Sequence, residues 1–215
     1  MTSPAFRSSA AAPAPRTGRT FAALALALGL AVGVVLAASA DPVQGARMVI
    51  RLTARTSLVL FLFAFTASAM ARLWPGPRTQ WLLRHRRAFG LAFAFSHAMH
   101  LVAILAFARL DAAAFAQQTR PLDWVTGGIA YVFIALLAAT SWDGAVRWMG
   151  VRRWRLLHTV GIAYLWISFM ATFGKRIPMS AAYGLAVALL VAALVLRVIG
   201  SARVRQWCLS RRKIA

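Results

Sequence analysis

The sequence predicts an all-α fold, a polytopic membrane bundle of six transmembrane helices joined by short loops. Hydrophobic residues make up 61% of the chain and charged residues only 13%, whereas a soluble domain is about half apolar and about a quarter charged. The apolar residues gather into six stretches, each long enough to cross a hydrocarbon core of ~30 Å at ~1.5 Å per residue. The 25 Lys and Arg residues mostly flank these stretches.

The elements follow in order. Residues 1–20, rich in Ala, Pro, Ser and Arg, read as a disordered basic N-terminal tail. The first span covers about 21–40. It ends in Ala-Ala-Ser-Ala before Asp41, as a cleaved leader would. Its apolar run is longer than the ~7–15 residues of a leader's core, so a retained helix is expected. Asp41-Pro42 is an N-cap followed by proline at the first helical position. A short amphipathic helix over Pro42–Ile50 is expected next, then a second span over about 56–71. Trp74-Pro75-Gly76-Pro77 breaks the chain, and a basic run from Arg78 to Arg87 follows. The third, fourth, fifth and sixth spans fall at about 88–108, 124–140, 156–173 and 179–199. These spans make 21–199 one transmembrane domain, and 200–215 is a basic cytoplasmic tail.

Charge sets the expected orientation. The N-terminal tail, the second and fourth loops and the C-terminal tail hold 18 of the Lys and Arg residues, against 7 on the opposite side. The positive-inside rule then places both termini in the cytoplasm. The net charge of +21 would point to nucleic acid in a soluble protein. Here the basic residues border apolar helices, where they meet lipid headgroups, so the bilayer is the expected partner and nucleic acid is not.

Several chemistries are excluded. Cys208 is the only cysteine, which rules out a covalently attached c-type haem, an iron–sulfur cluster and a Cys-rich zinc site. The acidic residues are Asp41, Asp111, Asp123 and Asp143 alone, and none makes an intramembrane carboxylate pair. No glycine-rich phosphate loop follows a strand, and no internal repeat suggests a transporter.

What remains is histidine. His97 and His100 lie in the third stretch, and His158 near the start of the fifth. Ionisable side chains at membrane depth are costly and tend to be kept for function. Imidazoles from two helices of a bundle can hold a metal or haem between them. His97 and His100 sit ~60° apart on one helical face, with Gly90 and Ala94 on the same side. Small residues there allow a flat group, or another helix, to approach closely. The plainer role for His158 is an interfacial histidine beside Trp154. Arg86 and Arg87 mark the entry of the third helix. They suit either lipid headgroups or carboxylates such as haem propionates. His85 reads as a solvated loop residue.

Several strings carry a family resemblance: Ala40–Val43, Arg51–Thr56, Arg86–Leu91, Met99–Leu101 and Arg152–His158. From about Ala40 to Ile199 the chain resembles the ferric reductase-like transmembrane superfamily. Within it, the chain is most similar to the haem-binding membrane subunits of bacterial periplasmic methionine sulfoxide reductase systems. The resemblance implies one b-type haem held by histidines of the third and fifth helices, with His100 and His158 matching the family positions. His97 is an extra histidine one turn away. It also implies electron transfer across the inner membrane, from a cytoplasmic flavin or a quinol donor to a periplasmic acceptor. The implied partners are a cytoplasmic flavin reductase and a periplasmic oxidoreductase. The resemblance implies an electron-transfer subunit rather than a self-contained enzyme. The family's second fifth-helix histidine is missing, with Ala171 and Thr172 in its place. The alternative is therefore a haem-free relative acting as a structural or assembly subunit.

Overall fold

A computed structural model describes residues 17–212, with side-chain surroundings as far as residue 202. The described residues contain eight α-helices and no strand. Six are long: α1 (Thr17–Ala37), α2 (Pro42–Leu73), α3 (Pro77–Leu110), α5 (Pro121–Ala139), α7 (Val151–Gly174) and α8 (Ala181–Arg212). Two are short connectors, α4 (Ala112–Gln118) and α6 (Asp143–Met149), and Ile177–Met179 forms a 3-10 turn. Each of the six long helices contains an apolar window sufficient for one crossing. The chain is a multi-pass membrane protein.

The helices run past the apolar segments that mark them in the sequence. The amphipathic segment at Pro42–Ile50 and the second span are one helix, α2. Nothing between Ile50 and Thr56 breaks a helix, and at ~1.5 Å per residue the polar turns simply extend beyond the hydrocarbon. The basic runs at Arg78–Arg87 and Arg152–Arg155, expected as loops, are the first turns of α3 and α7. Long Arg stems reach water from such positions. Thr17–Thr20, assigned to the N-terminal tail, form the first turn of α1, whereas residues 1–16 lie outside the described residues. Of the C-terminal tail, residues through Arg212 continue α8.

The expected boundary signals are used. Asp41 caps α2, its carboxylate accepting from the Val43 and Gln44 amides at 3.1 Å each. Pro77 opens α3, and the Gly76 amide donates to Thr79 Oγ1 at 3.2 Å. Between α6 and α7 the chain turns at Gly150, whose φ of 79° favours glycine.

The core joins α2, α3, α7 and α8. Phe61, Phe65, Phe93, Phe169 and Leu190 are buried together. Phe61 packs on Phe65 and on Phe169 at 5.2 Å between ring centroids. Trp166 ties α7 to α8 by donating to the Leu190 carbonyl at 3.0 Å. Small residues bring α2 and α3 together along a second, polar seam. There Thr53, Ser57 and Ser96 are completely buried. The Ser57 hydroxyl donates to Ser96 Oγ at 2.8 Å, and Ser96 donates to the Thr53 carbonyl at 3.2 Å.

Candidate functional site

The polar seam leads to His100. Thr53 and Ser57 lie one turn apart on α2, and Ser96 and His100 one turn apart on α3, so the two pairs face each other. Thr53 Oγ1 donates to the Val49 carbonyl at 2.6 Å and lies 2.9 Å from His100 Nδ1. A hydroxyl has one proton. With that proton on Val49, the oxygen accepts from His100, so Nδ1 carries the imidazole proton. Nε2 then keeps its lone pair. Fixing one ring nitrogen in this way is how a protein prepares the other for a metal.

His97 sits one turn below His100, with 5.7 Å between ring centroids. Its ring packs against Phe93 at 4.6 Å, Phe169 at 5.8 Å and Tyr131 at 5.9 Å. Both His97 Nδ1 and the Tyr131 hydroxyl are buried without a hydrogen-bond partner. Two neighbouring orphaned polar atoms in an apolar core are costly and call for a partner. Gly90 shares the face of α3 that carries Ala94 and His97. A side-chain carbon at Gly90 would meet nothing within 4 Å.

His158 is elsewhere. Contact with His97 places Phe169 of α7 at the level of the first histidine pair. His158 lies ~16 Å back along α7 from Phe169. It stacks on Trp154 with ring centroids 4.1 Å apart and planes 27° apart. Its Nε2 lies 3.0 Å from Thr140 Oγ1, which itself donates to the Leu136 carbonyl at 2.7 Å. The same proton argument makes His158 Nε2 the donor. Trp154 Nε1 donates to the Thr140 carbonyl at 2.9 Å, closing the joint between α5 and α7. The two histidines are thus anchored by threonines through opposite ring nitrogens. Among the described residues, no three His, Cys, Asp or Glu side chains gather where they could hold a metal ion.

The arginines lie at the level of His158. Arg86 Nη1 donates to Ser68 Oγ at 3.0 Å. Arg87 pairs with Asp143 at 3.7 Å on an exposed surface. His85 Nδ1 lies 2.8 Å from the Trp81 carbonyl, and its ring stacks on Trp81. Sequence reasoning missed Thr53, Ser57, Ser96 and Tyr131. The matched one-turn spacings of Thr53 with Ser57 and of Ser96 with His100 were a readable signal for the first three.

The model of the ferric reductase-like transmembrane component matches residues 51–169, more than half of the chain. The chain belongs to the ferric reductase-like transmembrane family. The family segment takes in Thr53, Arg86, His97, His100, Tyr131 and His158, whereas α1 and the whole of α8 lie outside it. Among curated members, the chain is similar to the protein-methionine-sulfoxide reductase heme-binding subunit MsrQ of Ralstonia nicotianae. Identity is 33% over 136 residues, covering 59% of this chain and 60% of that protein. The protein of the same name from Polaromonas naphthalenivorans is 37% identical over 83 residues, 38% of each chain. The one from Deinococcus radiodurans is 31% identical over 107 residues, 49% of this chain and 52% of that protein. The chain therefore spans less than two thirds of the length of these curated relatives. No solved structure matches it.

Proposed function

We propose that this chain is a membrane electron-transfer subunit that binds one b-type haem at α3, where His100 would hold it. The observation that carries the reading is the hydrogen bond between His100 Nδ1 and Thr53, which leaves Nε2 available. The orphaned His97 and Tyr131 atoms support it. So do the names of its relatives, which are heme-binding subunits. Attachment without a thioether follows from the single cysteine.

When bound, haem supplies a one-electron redox centre inside the bilayer. His100 would hold the haem, and Thr53 fixes the tautomer and orientation of His100. Phe93 and Phe169 keep the site apolar and exclude water. His97 lies one turn from His100 on the same face of α3 and would line the site rather than share the role of His100. His158 is too distant to serve the same iron, and its Nε2 is engaged by Thr140. The reading therefore has one protein ligand. Arg86 lies ~21 Å along α3 from His100, so pairing of Arg86 and Arg87 with haem propionates would go with a haem near His158.

The electron path runs from a cytoplasmic flavin reductase or a quinol to a periplasmic oxidoreductase, with both termini in the cytoplasm. A second reading is a haem-free structural subunit. It is favoured by the dense aromatic packing of Phe61, Phe93 and Phe169 between α2, α3 and α7. An absorption spectrum of protein expressed with haem supply separates the two. A Soret band in the purified protein supports the first, and a folded, colourless protein supports the second.

A further inference from the structure

Three arginines from three helices meet within two turns of α2, at the end of the bundle where α2 finishes and α3 begins. Arg72 of α2 donates from Nε to the Ser68 carbonyl at 2.8 Å. Arg86 of α3 donates to the hydroxyl of the same serine at 3.0 Å. Arg197 of α8 donates to the Phe65 carbonyl at 3.4 Å, and its guanidinium lies 4.5 Å over the Phe65 ring. All three guanidinium groups thus bond to groups of Phe65 and Ser68 on α2, and like charges gathered there repel one another. Arg86 and Arg197 are half-buried and Arg72 is exposed. Gly200 holds α8 against α2 here, where an added side-chain carbon would lie 3.2 Å from Ala69 Cα.

This cluster has no acidic counterpart. The chain has four acidic side chains. Asp41 caps the far end of α2, and Asp111, Asp123 and Asp143 pair with Arg47, Lys175 and Arg87. Partly desolvated like charges are expensive without a counterion. Each guanidinium offers five N–H donors, and the bonds above use one apiece. A group with several anionic oxygens would satisfy charge and donors together. The cluster also borders lipid, since Val198 and Ile199 beside Arg197 are exposed apolar residues.

We propose that Arg72, Arg86 and Arg197 form a binding site for the phosphate of an anionic phospholipid headgroup, bridging α2, α3 and α8. The site stands independently of the haem reading. Basic pockets between transmembrane helices are suited to such headgroups. The phosphate stabilises the contact of α8 with the rest of the bundle by neutralising the repulsion between the arginines.

The test is thermal unfolding of the full chain in neutral detergent, with added phosphatidylglycerol, phosphatidylcholine or inorganic phosphate. Phosphatidylglycerol is expected to raise the midpoint, and phosphatidylcholine and inorganic phosphate are not. Arg86→Gln and Arg197→Gln should each lose at least about half of that rise, whereas Arg84→Gln, on the exposed surface, should keep it. Should Arg86→Gln not fold, Arg197→Gln carries the same comparison. An equal rise with inorganic phosphate would overturn the lipid source. An equal rise with phosphatidylcholine, or a full response in both glutamine variants, would overturn the site. Haem content is read from the same samples. A drop confined to the glutamine variants would place haem carboxylates at the cluster and overturn the lipid assignment, whereas absence of haem from every sample would count only against the haem reading.

Discussion

His100 Nδ1 of α3 lies 2.9 Å from Thr53 Oγ1 of α2. Thr53 is itself committed to the Val49 carbonyl, so the pair sets which imidazole nitrogen is free. Thr53→Val keeps the shape and removes the acceptor. Outer partners of metal-bound histidines typically contribute about 10–100-fold to affinity. Haem affinity of Thr53→Val should fall by about that factor, and Thr53→Ser should retain most of it. Haem titration of the apoprotein measures this. Equal affinity in Thr53→Val would show that the tautomer is set another way.

His158 carries a different expectation. Its bond to Thr140, at the end of α5, ties α5 to α7, and its ring stacks on Trp154 within α7. Removing a hydrogen bond between membrane helices costs ~0.6 kcal/mol on average, and an aromatic contact adds ~0.5–1.5 kcal/mol. His158→Ala should therefore lower the unfolding midpoint while leaving the haem spectrum unchanged. Complete loss of haem at normal stability would return His158 to the ligand role that the family resemblance implies.

The contact of Gly200 with Ala69 is backbone against helix and has no flexible side chain to yield. Gly200→Val should overpack it and destabilise the bundle by ~1–3 kcal/mol. Gly90→Ala, where the space is open, should not be overpacked. Thermal denaturation of the two variants side by side checks the contrast. Equal stability would mean that α8 packs on α2 differently.

Topology is testable without haem. Six crossings would put both termini on one side, and we propose from the distribution of Lys and Arg that this side is the cytoplasm. A reporter fused after Ala215 should be active only in its cytoplasmic form. Activity of the periplasmic form would reverse the proposed direction of electron flow.

Much of this fold was legible because hydrophobic length is a strong signal. The capping of α2 by Asp41 and the break at Trp74–Gly76 were equally readable, since both rest on local chemistry. The helix ends were not. Arg78–Arg87 looks like a loop by charge but remains helical because long basic side chains can reach water from the end of a span. At the site, histidine marked the region, but depth did not follow from residue type. Phe169 against His97 fixes the level of α7, and no sequence spacing between α3 and α7 carries that information. Tyr131 was hidden for the same reason, as its meeting with His97 depends on how α5 packs.

The most direct test of the central claim is the haem-to-protein ratio and absorption spectrum of the wild type and His100→Ala at matched expression. The wild type should hold about one haem, and with a single protein ligand its reduced form should bind carbon monoxide. His100→Ala should lose the haem, and His100→Gly should regain it with added imidazole. Full haem retention in a folded His100→Ala protein would contradict the account, as would a folded wild type that binds none.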